Sequence, residues 1–439
     1  MTTMGAGELF FSTTDRRGVI LQGNSVFVRV SGYRLDELIG APHNTVRHPD
    51  MPGGVFRLIW DGLAAGRPVG AYVKNRTKDG GHYWVFATIS RLHDGYVSVR
   101  TAPRGPLFEV AGQVYAQALR VEREALHQGG ATRHRAALLG AAEIETTLRR
   151  YGYGSYEAFM LDALPEEVSG RSRLAPAAHA RPGAYGPLAE ILDGTGALDA
   201  MLDELVGRLT GYQKLSDDLA TTSEKVLDIA RRLDASVAAA QQASELAVDS
   251  APVLANVARV MAGPMRKSVT ALELLKEEFG RLRADVARLR FQISLASLHN
   301  DMAAAFAAEV NDGAAPRESL SAVPLLCDAA DEGIVEMAAQ VQRVNAALRT
   351  VAGLVSETGA GLEEFRRFLG QWRNLVLRHN AGPILGATVR PIDTEISGSW
   401  EWMELLRGLG HRHESAIVPF DPGYLQTHLS KVREAAAAF

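Results

Sequence analysis

Between residues 42 and 52 the chain reads Pro-His-Asn-Thr-Val-Arg-His-Pro-Asp-Met-Pro, with Phe56 and Trp60 close behind. His43, Arg47, His48 and Asp50 thus fall within eight residues. Pro49 and Pro52 exclude a regular helical face for them and stiffen the segment. A stiff polar loop can pre-organise contacts to a ligand. Arg47 offers a planar fork of donors suited to a phosphate or a pair of carbonyls. His43 or His48 could also ligate a haem iron, for which one imidazole suffices. The same residues equally fit a charged helical connection in which Arg47 and Asp50 pair with each other.

Around this loop, residues 8–105 mix aromatic, β-branched and turn-forming residues, the composition of a small α+β domain. Val19–Leu21, Ala71–Lys74, Tyr83–Ser90 and Gly95–Arg100 read as strands. Arg17-Gly18, Asp79-Gly80-Gly81 and Asp94-Gly95 supply the turns between them.

The full 439 residues exceed one ordinary core. A composition of 46% hydrophobic and 22% charged residues argues against wholesale disorder. A net charge of −4 gives no general attraction to nucleic acid or acidic lipid. The single cysteine, Cys327, excludes an internal disulfide and cysteine-cluster metal sites. There is no apolar run long enough to span a bilayer and no signal peptide at the N-terminus, so a cytoplasmic location is expected. Walker, GxSxG and HExxH motifs are missing, and an independent enzyme is not expected.

A longer pattern surrounds the proline-rich loop. It comprises Ser12-Thr13-Thr14-Asp15, Gly18-Val19-Ile20, Asn24, Phe27, Ser31-Gly32-Tyr33 and Glu37-Leu38-Ile39-Gly40. After the loop it continues through Val73-Lys74-Asn75-Arg76, Tyr83-Trp84-Val85 and Gly95-Tyr96, with Ser98 and Arg100. Across residues 11–101 it resembles the PAS domain of aerotaxis receptors. The resemblance implies a five-stranded antiparallel sheet with flanking helices over residues 8–105. It also implies non-covalently bound FAD whose redox state is reported. By resemblance, Asn24, His43, Arg47, His48, Asp50, Trp60 and Asn75 fall on positions that hold or stabilise the flavin. Sheets of this family often serve as interaction surfaces, which implies a docking face that could include Arg100 and its strand neighbours. Val69 stands where the family commonly has tryptophan, and Gly23 where a small alanine is usual.

From residue 106 the chain turns Ala-, Leu- and Arg-rich. Residues 106–165 read as a helical connector and 166–186, rich in Pro, Gly, Ala and Ser, as a linker. Residues 187–380 read as a long helical region with Pro264 as its one break. Leu272, Phe279, Val286, Ile293 and Asn300 form one heptad seam, with Leu275, Leu282, Leu289, Ala296 and Ala303 beside it. A second run follows the turn at 311–320, with Ile334, Val341, Leu348, Val355, Leu362, Leu369 and Val376 in one seam. Two such arms predict an antiparallel coiled-coil hairpin. Its exposed seams call for a partner, either a second copy in a homodimer or the helices of 187–260. Residues 381–439, with Trp400, Trp402 and the His411-Arg412-His413 cluster, read as a capping or docking segment.

The chain as a whole is thus expected to be a redox or oxygen sensor that passes its state through a helical stalk to a downstream signalling protein. The competing expectation is a cofactor-free scaffold in which the N-terminal domain serves dimerisation or protein interaction.

Overall fold

A computed structural model of the protein describes residues 3–127, 130–246, 252–383 and 418–439, together with Leu385, Glu404, Arg407 and Gly408. Trp400, Trp402 and His411–His413 lie outside the described residues. The chain forms two compact units. One holds residues 1–206, 287–338 and 421–439, and the other 207–286 and 339–420.

In the first unit, β1 (Phe10–Asp15), β2 (Ile20–Gly23), β3 (Val69–Arg76), β4 (His82–Leu92) and β5 (Gly95–Thr101) form one sheet. The strand order is β2-β1-β5-β4-β3, and every neighbouring pair is antiparallel. Asp94 closes the β4–β5 hairpin, in which Leu92 faces Gly95. Gly95 has no substitute there, because a Cβ on it would lie 1.9 Å from the Thr14 carbonyl oxygen. Between β2 and β3 the chain makes α1 (Ser25–Ser31), α2 (Leu35–Leu38), a 3-10 turn (His43–Val46) and α3 (Gly53–Ala64).

Alternation along the strands gives the sheet two different faces. Inward, Phe10, Tyr83, Val85 and Ala87 pack with Ile20, Phe27, Leu38 and Val46. Outward, Tyr72 and Trp84 meet the aromatic residues of two later helices, α4 (Leu107–His127) and α6 (Tyr156–Leu174), and Phe86 meets Tyr72 edge-on at 4.8 Å. Tyr72 contacts Phe108 and Phe159 at 5.5 and 6.4 Å, and Trp84 contacts Phe108 at 5.2 Å. The intervening α5 (Arg133–Arg150) packs on α3 and α4. Strand β5 is almost wholly buried as a result, which is the mark of a sheet covered on both sides.

Four further helices follow among the described residues: α7 (Pro187–Leu246), α8 (Pro252–Asn311), α9 (Val323–Arg378) and α10 (Pro422–Ala437). In the first unit, Phe291–Ala308 of α8 is buried on nearly every side. A helix apolar all round belongs in a core rather than on a stripe. Phe11 on the outer face of β1 meets Phe306 edge-on at 5.1 Å, and Ser25 donates to Glu309 at 3.4 Å. Asn300 does not face another heptad seam. Its Nδ2 donates to the Thr195 carbonyl of α7 at 2.8 Å. On α10, Asp421 caps the first turn, and Arg433 pairs with Asp328 at 2.8 Å.

The second unit has its own apolar core. Residues from the three long helices converge there: Val226 and Leu233 of α7, Met261, Leu272 and Phe279 of α8, and Val355, Phe365 and Trp372 of α9. The Trp372 indole donates to Ser244 at 3.3 Å.

Three expectations change. Helix α6 runs to Leu174 and includes Pro165, so the segment expected to be a linker from 166 begins only after 174. Burial of Phe159, Leu164 and Val168 stabilises the helix through that proline. Helix α8 likewise continues through Pro264. In the second unit the seam residues of 272–279 and 351–376 join a bundle of three helices, with α7 covering them inside one chain. The long region is therefore not a bare two-helix hairpin.

Candidate functional site

The 3-10 turn is introduced by Pro42, and Pro52 occupies the N-cap position of α3. Between them the chain runs beside β3. Arg47 forms an isolated bridge with Asn75, and the His48 amide donates to the Lys74 carbonyl at 3.3 Å. The prolines thus leave an extended strip that lays Arg47 along the sheet edge.

A cavity of about 350 Å³ lies between this strip, α3 and the inner face of the sheet. That volume lies within the roughly 300–1,000 Å³ of small-molecule sites. Helix α3 contributes Phe56, Ile59, Trp60 and Leu63, a stripe at i, i+3, i+4 and i+7. The sheet contributes Ser12 and Thr14 from β1, Val73 and Asn75 from β3, Ala87 and Ile89 from β4, and Tyr96, Ser98 and Arg100 from β5. Arg17, His43 and Arg47 complete the polar wall. The lining holds three arginines and no carboxylate.

Arg100 is the central polar group. It is 5% exposed, its guanidinium stacks over Phe10 at 4.5 Å, and it donates to Ser98 Oγ at 3.1 Å and to His43 Nε2 at 2.8 Å. An arginine can only donate, so His43 Nε2 accepts and carries no proton. Burial, with Arg100 adding to it, holds the His43 imidazole well below its usual titration range. His43 also stacks on Phe27. Burial pushes the Arg100 guanidinium down to about 10. Arg100 Nη1 and Asn75 Nδ2 are both buried without a hydrogen-bond partner. A buried donor left unmade costs about 1–3 kcal/mol, more when charged. Both orphans are donors.

The remaining cavity residues have defined places. The Arg47 guanidinium rests on the Phe56 ring at 4.2 Å and donates to the Met51 carbonyl at 2.9 Å. Trp60 is 44% exposed and meets Tyr96 edge-on at 5.6 Å.

Three of the expected site residues do not line the cavity. Asn24 caps α1, where its Oδ1 accepts from the Phe11 and Phe27 amides, both at 3.1 Å, and its Nδ2 donates to the Leu9 carbonyl at 2.8 Å. No hydrogen-bonding capacity of consequence is left for a ligand. His48 Nδ1 accepts from the Asp50 amide at 3.0 Å. Asp50 faces outward and pairs with Lys74 at 3.3 Å and Arg123 at 2.8 Å, which hold its carboxyl below the usual range against the opposing effect of burial. Val69 packs against Gly62 and is also outside the lining. Arg100, conversely, does not sit on an exposed docking face and lies inside the cavity. The alternation Tyr96, Ser98, Arg100 on β5 is the sequence signal for that placement.

The fold and its cavity define a domain of the PAS class, and residues 20–97 match the PAS fold family. Over 105 residues the N-terminal region is 46% identical to the aerotaxis receptor of Escherichia coli strain K12. That alignment takes in 23% of this chain and 21% of the receptor, so the chain spans about a fifth of the length of this curated relative. The light-state structure of the Aureochrome1 LOV photoreceptor domain is 19% identical over 24% of this chain and 88% of its own, with a TM-score of 0.22. A PAS domain from Colwellia psychrerythraea is 19% identical over 21% of this chain and 85% of its own, with a TM-score of 0.19. Among the described residues no helix is long and apolar enough to cross a membrane.

Proposed function

We propose that the PAS domain holds FAD non-covalently and that the protein is a cytoplasmic redox or oxygen sensor acting on a downstream signalling partner. The observation that carries this reading is a cavity whose described lining holds three arginines and no carboxylate, with Asn75 and Arg100 in that lining and one donor nitrogen of each buried without a hydrogen-bond partner. Such a site favours a flat, acceptor-rich, anionic ligand, and a flavin dinucleotide has carbonyl and ring-nitrogen acceptors together with a pyrophosphate. When bound, FAD supplies the redox chemistry.

The chain's own residues supply the rest. Asn75 and Arg100 donate to the inner, polar edge of the ligand, and Phe56, Trp60 and Tyr96 wall its faces. Arg47 and Arg17 offset negative charge. Neutral His43 keeps Arg100 oriented by accepting from its Nη2. The same contact occupies the Nε2 lone pair that a haem iron would need.

The docking of β1 on α8 through Phe11 and Phe306 gives the domain a route to the helical region that does not depend on the 175–186 segment. Packing of α7 on the seam residues of 272–279 and 351–376 supports an intramolecular bundle there, and a homodimer through the remaining surface is the alternative. Sedimentation of the whole chain at tens of micromolar measures that directly.

The test of the flavin reading is the near-ultraviolet and visible spectrum of protein purified from cells supplied with riboflavin. Flavin bands are expected, and they should be weaker in Arg100→Met at equal protein concentration. A colourless protein that takes up no added FAD would refute the reading.

A further inference from the structure

Helix α3 walls the cavity, yet it begins without a cap of its own. Pro52 at its N-cap position makes no side-chain bond, and no acidic residue lies in its first turn. The first amides of a helix need acceptors, and a negative group there is favoured by the helix dipole. Glu122 of α4, 68 and 69 residues along the chain, supplies both. Its Oε2 accepts from the Gly53 amide and its Oε1 from the Gly54 amide, each at 2.7 Å.

The fit is tight. Glu122 is 7% exposed, so these bonds must replace the water that its carboxylate has lost. A Cβ on Gly140 of α5 would lie 1.9 Å from Glu122 Oε1, and one on Gly54 would lie 2.4 Å from the Ala141 nitrogen. Three helices therefore converge on one carboxylate. The segment it grips also faces the cavity, since Arg47 is tied to the Met51 carbonyl and rests on Phe56 one turn into α3. A ligand that draws Arg47 toward itself pulls on the amides that Glu122 holds.

We infer that Glu122 is a positioning residue that couples the cavity to α4: it sets the placement of α3 for ligand binding, and occupancy of the cavity is felt by α4 in return. The inference rests on the flavin reading only for the identity of the ligand. Coupling of this kind is reciprocal, so the factor by which α4 affects binding is the factor by which binding affects α4.

Glu167 of α6 provides a matched control. It too is buried and accepts from two consecutive amides, Arg104 at 2.6 Å and Gly105 at 2.9 Å, and from the Tyr72 hydroxyl at 2.8 Å. None of these partners belongs to α3 or to the cavity lining.

The experiment compares full-length wild type, Glu122→Ala, Glu122→Gln and Glu167→Gln by hydrogen exchange, with and without FAD, and by FAD titration. Glu122→Gln keeps the volume and one acceptor, and it decides the matter if the alanine variant does not fold. We expect loss of protection at the start of α3 and FAD binding weakened on the order of tenfold in the Glu122 variants. FAD should slow exchange in α4 of the wild type, and this effect should vanish with Glu122. Glu167→Gln should lose stability yet keep its FAD affinity and its α3 protection. Unchanged α3 protection in the Glu122 variants, or equal losses in Glu167→Gln, would overturn the inference. If the wild type binds no FAD, the flavin reading fails, and the ligand-free exchange at α3 alone decides for or against Glu122.

Discussion

The two faces of the PAS sheet are built from alternate residues of the same strands, and they are finished in opposite ways. The outer face is closed. Phe11, Tyr72 and Trp84 meet Phe306, Phe108 and Phe159 in edge-on or tilted pairs, and Phe86 meets Tyr72 edge-on. The inner face is closed around Phe10 and Phe27 but elsewhere lines a cavity with Asn75 and Arg100, each of which has one buried donor nitrogen without a partner. Folding alone gives no reason to bury an arginine with no counter-charge, and on the proposed function that cost marks the face a ligand would complete. Stability resides on one side of the sheet and recognition on the other.

The sharpest way to break this comparison is to truncate each face in turn. Phe11→Ala removes a fully buried ring from the outer face and should cost about 3–5 kcal/mol in denaturant unfolding. The molecules that remain folded should keep their flavin. If the flavin is lost at denaturant concentrations where the sheet is intact, the two faces are not separable.

On the inner face, Arg100→Met should do the reverse. It should weaken FAD binding by about 2–3 kcal/mol, the worth of a charge-assisted hydrogen bond. The ligand-free protein should be as stable as wild type or more so, because an unpaired buried charge is gone. A lower melting temperature without ligand would show that Arg100 is structural.

Acid provides a third lever. Burial holds His43 well below the usual imidazole range, and His299 on α8 is pushed down to about 4, with both ring nitrogens unpartnered. The unfolded chain takes up these protons near pH 6.5 while the folded chain refuses them, so stability falls as pH drops from there toward 4 and levels off below. Asp199, which burial and the nearby Asp301 and Asp203 carboxylates push up to about 6, acts in the opposite sense over the lower part of that window. His299→Leu isolates one contribution and should remove on the order of 3 kcal/mol of this acid sensitivity. An unchanged slope of stability against pH would mean that His299 meets solvent.

The smallest effect is expected at Asp50. Its ion pairs with Lys74 and Arg123 are exposed, and such pairs contribute roughly 0–1 kcal/mol. Asp50→Ala should therefore leave both the flavin and the fold nearly unchanged. Loss of flavin in this variant would return Asp50 to the site.

Much of the PAS domain is legible from local chemistry. The turn at Asp94-Gly95, the strand alternation and the proline-stiffened loop each follow from backbone preferences that act over a few residues. His43, Arg47, Trp60 and Asn75 belong to that local pattern, and all four line the cavity. Asn24 cannot be told from a ligand-binding amide by sequence, because its partners Leu9 and Phe11 lie on the far side of β2 in the chain.

The chain by itself determined four of the five strands, the helical character after residue 106 and which residues are apolar enough to seek burial. Heptads at 272–303 and 334–376 required cover, but an apolar seam is blind to the identity of what covers it. Only the tertiary structure decided that α7 fills that role for 272–279 and 351–376 within the same chain. It also turned Arg100 inward, away from any carboxylate, and brought Glu122 to the start of α3 across 69 residues of sequence. These are contacts between groups far apart along the chain, and they depend on how helices converge rather than on any local pattern.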